Sequence, residues 1–245
     1  MECYTDVVPK FSVIIPLIPL HDIELKRIFE ILSHEQYLIE EIIICRSETP
    51  SKKIRRIENK YRKYARFAKL NTRVILNSIE EHAWDGTNRN RGIEDARGEY
   101  LAFMDADDDY VENRLSILAG VLEDDSISGV LHSYSDENLS EKALKNDFDL
   151  ERIEFSGEFS SDLTIPLMCR GENVKIHHAH LTVKRLEVQE HFTGIFPGAD
   201  TEYCKRIVML GKNIAYCPEQ LSSWNRKRNL RYKIRLLKRK FSLNY

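Results

Sequence analysis

Four short apolar runs, each bounded by polar or turn residues, frame this chain. Phe11-Ser12-Val13-Ile14-Ile15-Pro16, Glu41-Ile42-Ile43-Ile44-Cys45 and Arg73-Val74-Ile75-Leu76 are rich in β-branched residues, and Tyr100-Leu101-Ala102-Phe103-Met104 follows Gly98-Glu99. Runs of this length, apolar at consecutive positions, predict strands buried on both faces. The intervening stretches carry a helical period. Asp22 to Leu32 places Leu25, Ile28, Phe29 and Leu32 on one helix face behind Asp22 as N-cap, and Ser51 to Lys69 reads as a basic, solvated helix. Trp84 to Gly92 reads as a loop running into a helix that ends near Ala96. Strand and helix in alternation at this spacing predict a parallel sheet with right-handed crossovers, the half-domain that binds nucleotides in many folds.

Beyond the fourth run the pattern predicts an amphipathic helix over Asn113 to Glu123 and a strand over Gly129 to Tyr134. Asp136 to Asp162 is polar and acidic with weak periodicity, a loop-rich excursion. Val174 to Val183 alternates as a strand, Asp200 to Leu210 is a helix closed by Gly211, and Asn213 to Cys217 is a final strand ending at Pro218. His178 and His180 share one face of the strand they lie on while His177 points away, and no second cluster completes a zinc set.

Composition adds the bounds. With 245 residues, 42% hydrophobic and 31% charged, the chain fits one globular domain with a small appendage: residues 10–221, divided near 110 into a nucleotide-binding half and a second half over 111–221, and a tail over 222–245. No apolar run approaches the roughly 20 residues that span a bilayer, and Met1 to Lys10 lacks the basic-then-apolar order of a signal peptide, so a cytoplasmic location is expected. The five cysteines are scattered, without a CxxC pair, which argues against a disulfide or zinc framework.

Charge is segregated. From Arg226 to Lys240 there are nine Lys or Arg and no acid, which leaves an acidic body. Leu230, Ile234, Leu237 and Phe241 form one apolar stripe on that basic tail, the composition of a helix lying peripherally on an anionic membrane surface at 226–241. The alternative is a stripe packed on the domain or on a second subunit, as in a homodimer; nucleic acid is disfavoured because the body is acidic and an RNA-binding aromatic platform is missing.

The chemistry concentrates where the fourth run ends in Asp105-Ala106-Asp107-Asp108-Asp109. The carboxyl ends of parallel strands are where open α/β sheets place ligands, and carboxylates packed this densely repel one another unless a cation neutralises them. Without a ligand, Asp107 to Asp109 would serve as caps for the helix that follows.

Three segments in this order resemble family 2 glycosyltransferases of the GT-A fold: Phe11 to Pro16, Gly86 to Asp109, and Gly198 to Arg206. The central one, Gly86-Thr87-Asn88-Arg89-Asn90-Arg91-Gly92-Ile93 with Asp105-Ala106-Asp107-Asp108, is the most specific and looks like that family's donor-site signature. The resemblance implies a mostly parallel α/β sheet flanked by helices and an inverting, metal-dependent transferase. Its donor is a nucleotide-diphosphate sugar, and its acceptor is a hydroxyl of a glycan or a glycolipid such as a lipid-linked glycan. Asp105-Ala106-Asp107 matches the DxD motif, so Asp107 and Asp105 are the implied ligands of Mn²⁺ or Mg²⁺, with Arg89 orienting the acids or contacting the donor.

Gly198-Ala199-Asp200-Thr201-Glu202 matches the base motif, with Asp200 as general base and Glu202 as second acid, and Ala199 departs from it. The turn after the second strand departs more. The family's Asp-Asp-Gly-Ser-like sequence is replaced by Cys45-Arg46-Ser47-Glu48-Thr49, so Ser47 or Glu48, with Pro16, would line the base pocket. A uridine nucleotide is the expectation from family frequency. The alternatives are a nucleotidyltransferase, against which the segment after the first strand offers no Gly-rich phosphate loop, and a catalytically silent nucleotide-sugar-binding protein.

Overall fold

In the computed structural model, residues 8–135, 151–152, 164–167, 172–175, 181–188, 192, 203–204, 206–207 and 213–223 are described. In chain order the elements are β1 (Phe11–Leu17), α1 (Leu25–Ser33), β2 (Ile39–Arg46), α2 (Ile54–Phe67), β3 (Arg73–Ser78), α3 (Asp85–Asp95), β4 (Tyr100–Phe103) and β5 (Asp109–Tyr110). They continue as α4 (Arg114–Leu122), β6 (Gly129–Ser135), β7 (Glu151–Arg152), β8 (Thr164–Leu167), β9 (Glu172–Lys175), β10 (Leu181–Lys184) and β11 (Ile214–Ser223). One sheet runs β3-β2-β1-β4-β10-β6-β11-β5, with β7 beside β11, and β8 and β9 form a separate hairpin. The pairs β1 to β2, β2 to β3, β1 to β4 and β6 to β11 are parallel, and β10 is antiparallel to both β4 and β6.

Every residue of β1 is buried, which is why its sequence is apolar on consecutive positions rather than alternating. Phe11, Val13, Ile15 and Leu17 face one layer with Leu25, Ile28, Phe29 and Leu32 of α1 and Ile57, Tyr61 and Ala65 of α2. Ile14 faces the other with Ile43, Cys45, Leu101, Phe103, Phe192 and Tyr203. Each such aliphatic side chain contributes roughly 1.5–3 kcal/mol by leaving water.

α3 lies against the second face because Gly92 lets it approach. A Cβ at Gly92 would overlap Ile14 Cγ2 and sit 3.0 Å from Cys45 Sγ. Both neighbours are fully buried with nowhere to move. Gly92→Ala is therefore expected to destabilise the fold by about 1–3 kcal/mol through overpacking, in spite of alanine's better helix propensity. Urea unfolding checks this; an unchanged or higher midpoint would contradict it.

Several elements differ from the sequence reading. Asp22 does not cap α1, which starts behind Glu24 without a side-chain cap. Its carboxylate instead accepts from Arg46 Nε at 3.0 Å, Lys60 Nζ at 3.1 Å and Tyr61 Oη at 2.5 Å. The Arg46 guanidinium is nearly inaccessible to water, and a buried cation demands a counter-charge more strongly than a helix end demands a cap. Burial alone would raise the Asp22 carboxyl, yet the hydrogen bonds and charge of its partners hold it below the ordinary carboxylate value.

α3 begins at Asp85, so the segment read as a loop is already helical at Gly86. Helix α4 is buried nearly all round rather than amphipathic, and the acids before it do not cap it. The Glu35 carboxylate takes that role, accepting the N–H groups of Leu115 at 2.9 Å and Ser116 at 2.6 Å. The predicted strand Val174 to Val183 is divided: Val174 and Lys175 end β9 in the hairpin, whereas Leu181 to Val183 lie fully buried in the main sheet. Alternation of apolar residues cannot show which sheet a strand joins. β11 does not end at Pro218 but runs through it, because the register against β6 shifts between Cys217 and Gln220, and a bulge tolerates a residue without an N–H.

Among the described residues no helix is long and apolar enough to cross a membrane. Cys45, Cys204 and Cys217 are buried. His177, His178, His180 and the basic tail lie outside the described residues.

Candidate active site at the carboxyl ends of the parallel strands

The parallel register brings the ends of β1, β2 and β4 together. Pro16 pairs with Cys45, Leu17 with Arg46, and Ile14 with Phe103, after which Met104 N–H donates to Ile14 O at 3.0 Å. The acids of 105–109 follow at once, beside the loop after β1.

Each acid has its own environment. Arg89, on α3 and 3% exposed, donates from Nη2 to Asp105 Oδ1 at 2.8 Å. The Tyr110 hydroxyl brackets the backbone of Asp105, accepting its N–H at 2.6 Å and donating to its carbonyl at 3.3 Å. Asp107 Oδ1 lies 3.8 Å from His21 Nδ1, in the loop after β1. Asp108 is buried, and its backbone N–H donates to Asp105 O. Asp109, read from sequence as a solvated cap, pairs with Arg27 Nη1 at 2.8 Å. Arg27 also donates to the carbonyls of Ala106 and Asp108, so one guanidinium from α1 grips the acidic loop.

Burial first, and then the charge of Asp105, pushes the Asp107 carboxyl above its ordinary value; Asp85 adds to this and His21 opposes it. Both effects disfavour the ionised form, burial more than the neighbouring charge. Asp105 and Asp107 side chains are 17% and 15% exposed, so both retain access from solvent. Among the described residues there is no cluster of three or more His, Cys, Asp or Glu arranged to hold a metal. Two carboxylates still fit a Mg²⁺-like ion whose remaining ligands come from substrate phosphates and water.

A second layer supports the loop. Arg114, fully buried, donates from Nη2 to Phe103 O at 3.3 Å and from Nε to His132 Nε2 at 3.1 Å. His132 Nδ1 lies 2.7 Å from Ser133 O and so carries the proton, which leaves Nε2 as acceptor. Burial lowers Arg114 to about 10. Tyr110→Phe would strand the Asp105 N–H and is expected to cost about 1–3 kcal/mol, read as a lowered urea midpoint.

The turn after β2 is built differently from the acidic turn of the resembled family. Arg46 spends its guanidinium on Asp22, on Thr49 Oγ1 and on Glu48 O. Ser47 is fully buried and its Oγ has no hydrogen-bond partner among the described residues. Glu48 adopts φ 53, in the left-handed region, and its carboxylate lies 2.9 Å from His82 Nδ1. His82 in turn meets Trp84 edge-on at 5.6 Å.

Asp200 and Glu202 lie outside the described residues. Tyr203, one position later, is fully buried; it stacks on Phe192 at 3.8 Å and meets Phe103 of β4 edge-on at 6.1 Å. Sequence reading missed His21, Asp85, Arg27, Tyr110 and Arg114. The parallel order of β1 and β4 could have pointed to His21, since it places the loop after β1 beside Asp107.

Solved structures of similar fold include TarS and a mannosyltransferase. TarS of S. aureus matches with a TM-score of 0.61 at 14% identity over 87% of this chain and 36% of that one. TarS 1-349 in complex with UDP-GlcNAc matches at 0.61, 15% identity, 88% of this chain and 58% of that one. Mannosyltransferase PcManGT from Pyrobaculum calidifontis, in complex with GDP-Man and Mn²⁺, matches at 0.55, 16% identity, 86% of this chain and 55% of that one. The sheet and its flanking helices thus define a GT-A-type α/β fold. The sequence model described as Glycosyl transferase family 2 matches residues 12–178, and the chain belongs to that family. No curated protein matches it in sequence. The chain spans less than two thirds of the length of these solved relatives.

Proposed function

We propose that this chain is an inverting glycosyltransferase, moving a sugar from a nucleotide-diphosphate donor to a hydroxyl of a glycan or lipid-linked glycan. The observation that carries this reading is the pair Asp105 and Asp107 at the end of β4, with the Asp107 carboxyl pushed up by burial and by its neighbour. Mn²⁺ or Mg²⁺ held by Asp107 and Asp105 would neutralise charge developing on the leaving diphosphate. The chain's own residues prepare that position: Arg89 orients Asp105, Tyr110 fixes its backbone, and Arg27 holds the loop. Pro16, Ser47 and Glu48 are assigned to the nucleobase side of the site from the family pattern; Glu48 is partly exposed, whereas Pro16 and Ser47 are buried.

Asp200 is the base that takes the proton from the acceptor hydroxyl, and Glu202 is the second acid of its motif. The anchorage of Tyr203 on Phe103 supports this. A uridine nucleotide is favoured by the UDP and UDP-GlcNAc complexes of TarS, with the GDP-Man complex of PcManGT as the counter-example. The basic segment 226–241 is the proposed contact with an anionic membrane surface that carries the acceptor.

Thermal shift with UDP-sugars and GDP-sugars, each with and without Mn²⁺, tests the donor assignment. A metal-dependent rise with UDP-sugars is expected; a rise with GDP-sugars alone would overturn the uridine reading.

A further inference from the structure

The outer face of α2 has no role in the site described above, and its chemistry is unusual. Residues 51–73 contain ten Lys or Arg against a single acid, Glu58. Helix α2 packs Ile57, Tyr61 and Ala65 against the sheet, and the opposite face carries Arg55, Arg56, Arg62, Lys63 and Arg66, all exposed. Their spacing at i, i+1, i+7, i+8 and i+11 makes one continuous ridge, about 21 Å long for a 14-residue helix. Lys60 is tied to Asp22, but none of the ridge side chains forms an ion pair or hydrogen bond among the described residues.

Two local rules are broken in favour of cations. The first turn of α2 contains Arg55 and Arg56 and no acid, although the helix dipole favours the reverse. Lys69 occupies φ 57, just past the helix end, where glycine is the usual residue. A sequence that violates local preference without a partner inside the fold points to one outside it. Phe67, at the helix C-terminus and 85% exposed, is the most exposed large apolar side chain among the described residues.

We propose that the outer face of α2 docks on an anionic lipid bilayer. A convex, linear ridge of cations matches a flat negative surface, where basic residues act additively, and Phe67 supplies the apolar group that enters the interface. A nucleic-acid site would instead require a groove or a set of stacking aromatics, and the ridge offers one aromatic at its end. This surface is independent of the basic tail and of the glycosyltransferase reading.

Sedimentation of the full chain with phosphatidylglycerol-containing vesicles, with pure phosphatidylcholine vesicles and with duplex and single-stranded oligonucleotides tests it. Binding to the anionic vesicles alone is expected, with release at high salt. R62E/K63E/R66E, which keeps the tail, is expected to weaken vesicle binding about a hundredfold or more, and Phe67→Ser several-fold. If the triple variant does not melt cooperatively, R55E/R56E removes charge from the other end of the ridge. Unchanged vesicle binding in a folded ridge variant would overturn the proposal. So would absence of wild-type binding, or tighter binding to the oligonucleotides.

Discussion

Asp107→Asn is expected to lower turnover of any nucleotide-sugar donor by about 10³-fold while raising the melting temperature of the ligand-free protein. The two effects have one cause. Asp107 is held mostly out of water beside Asp105, and both burial and that charge disfavour its ionised form. At neutral pH the carboxylate is therefore a cost to the empty fold, and the neutral amide removes it. On the proposed function, the same charge would attract a divalent cation and the diphosphate it accompanies. Mn²⁺ should stabilise the wild type, and this shift should vanish in Asp107→Asn. A variant that turns over normally, or that loses activity because it unfolds, would contradict the assignment. His21 near Asp107 and Arg89 on Asp105 are not substitutes, since each already serves one carboxylate.

Asp200→Asn should have an effect of similar size by a different route. Removing a general base costs about 10²–10⁴-fold in the step that consumes its proton, but leaves donor and metal contacts intact. The metal-dependent thermal shift with donor should survive in this variant while transfer to acceptor is lost. The pair of variants therefore separates the two halves of the site: one abolishes donor engagement, the other only the acceptor step. Normal transfer by Asp200→Asn would remove it as the base.

What the sequence made legible follows from which forces act locally. β1 was readable from Phe11 to Pro16 because burial on both faces leaves an uninterrupted apolar run. The position of Asp105 and Asp107 just past the carboxyl end of β4 was readable because an apolar run that breaks into acids marks where a buried strand ends. Asp22 was misread because an N-cap aspartate and an ion-paired aspartate look alike until Arg46 is brought 3.0 Å away from another strand's end. Pro218 was misread because a bulge is a property of two strands, and only one is seen in the local sequence. Glu35, Tyr110 and Arg114 act across elements, on amides and carbonyls that carry no sequence signal of their own.

The replaced turn after β2 has a defined physical consequence. Arg46 is neutralised by Asp22 and the Ser47 hydroxyl is buried, so the turn presents the Glu48–His82 pair rather than a free aspartate. Base selectivity is the property of the site in which this chain should differ most from relatives with an acidic turn.

The central claim is tested most directly by incubating the chain and Asp107→Asn with a panel of sugar nucleotides and Mn²⁺ and identifying the released nucleotide. Nucleoside diphosphate from the wild type, and none above background from Asp107→Asn, is the result expected of a glycosyltransferase. Pyrophosphate in its place, or binding without release for every donor, would contradict it.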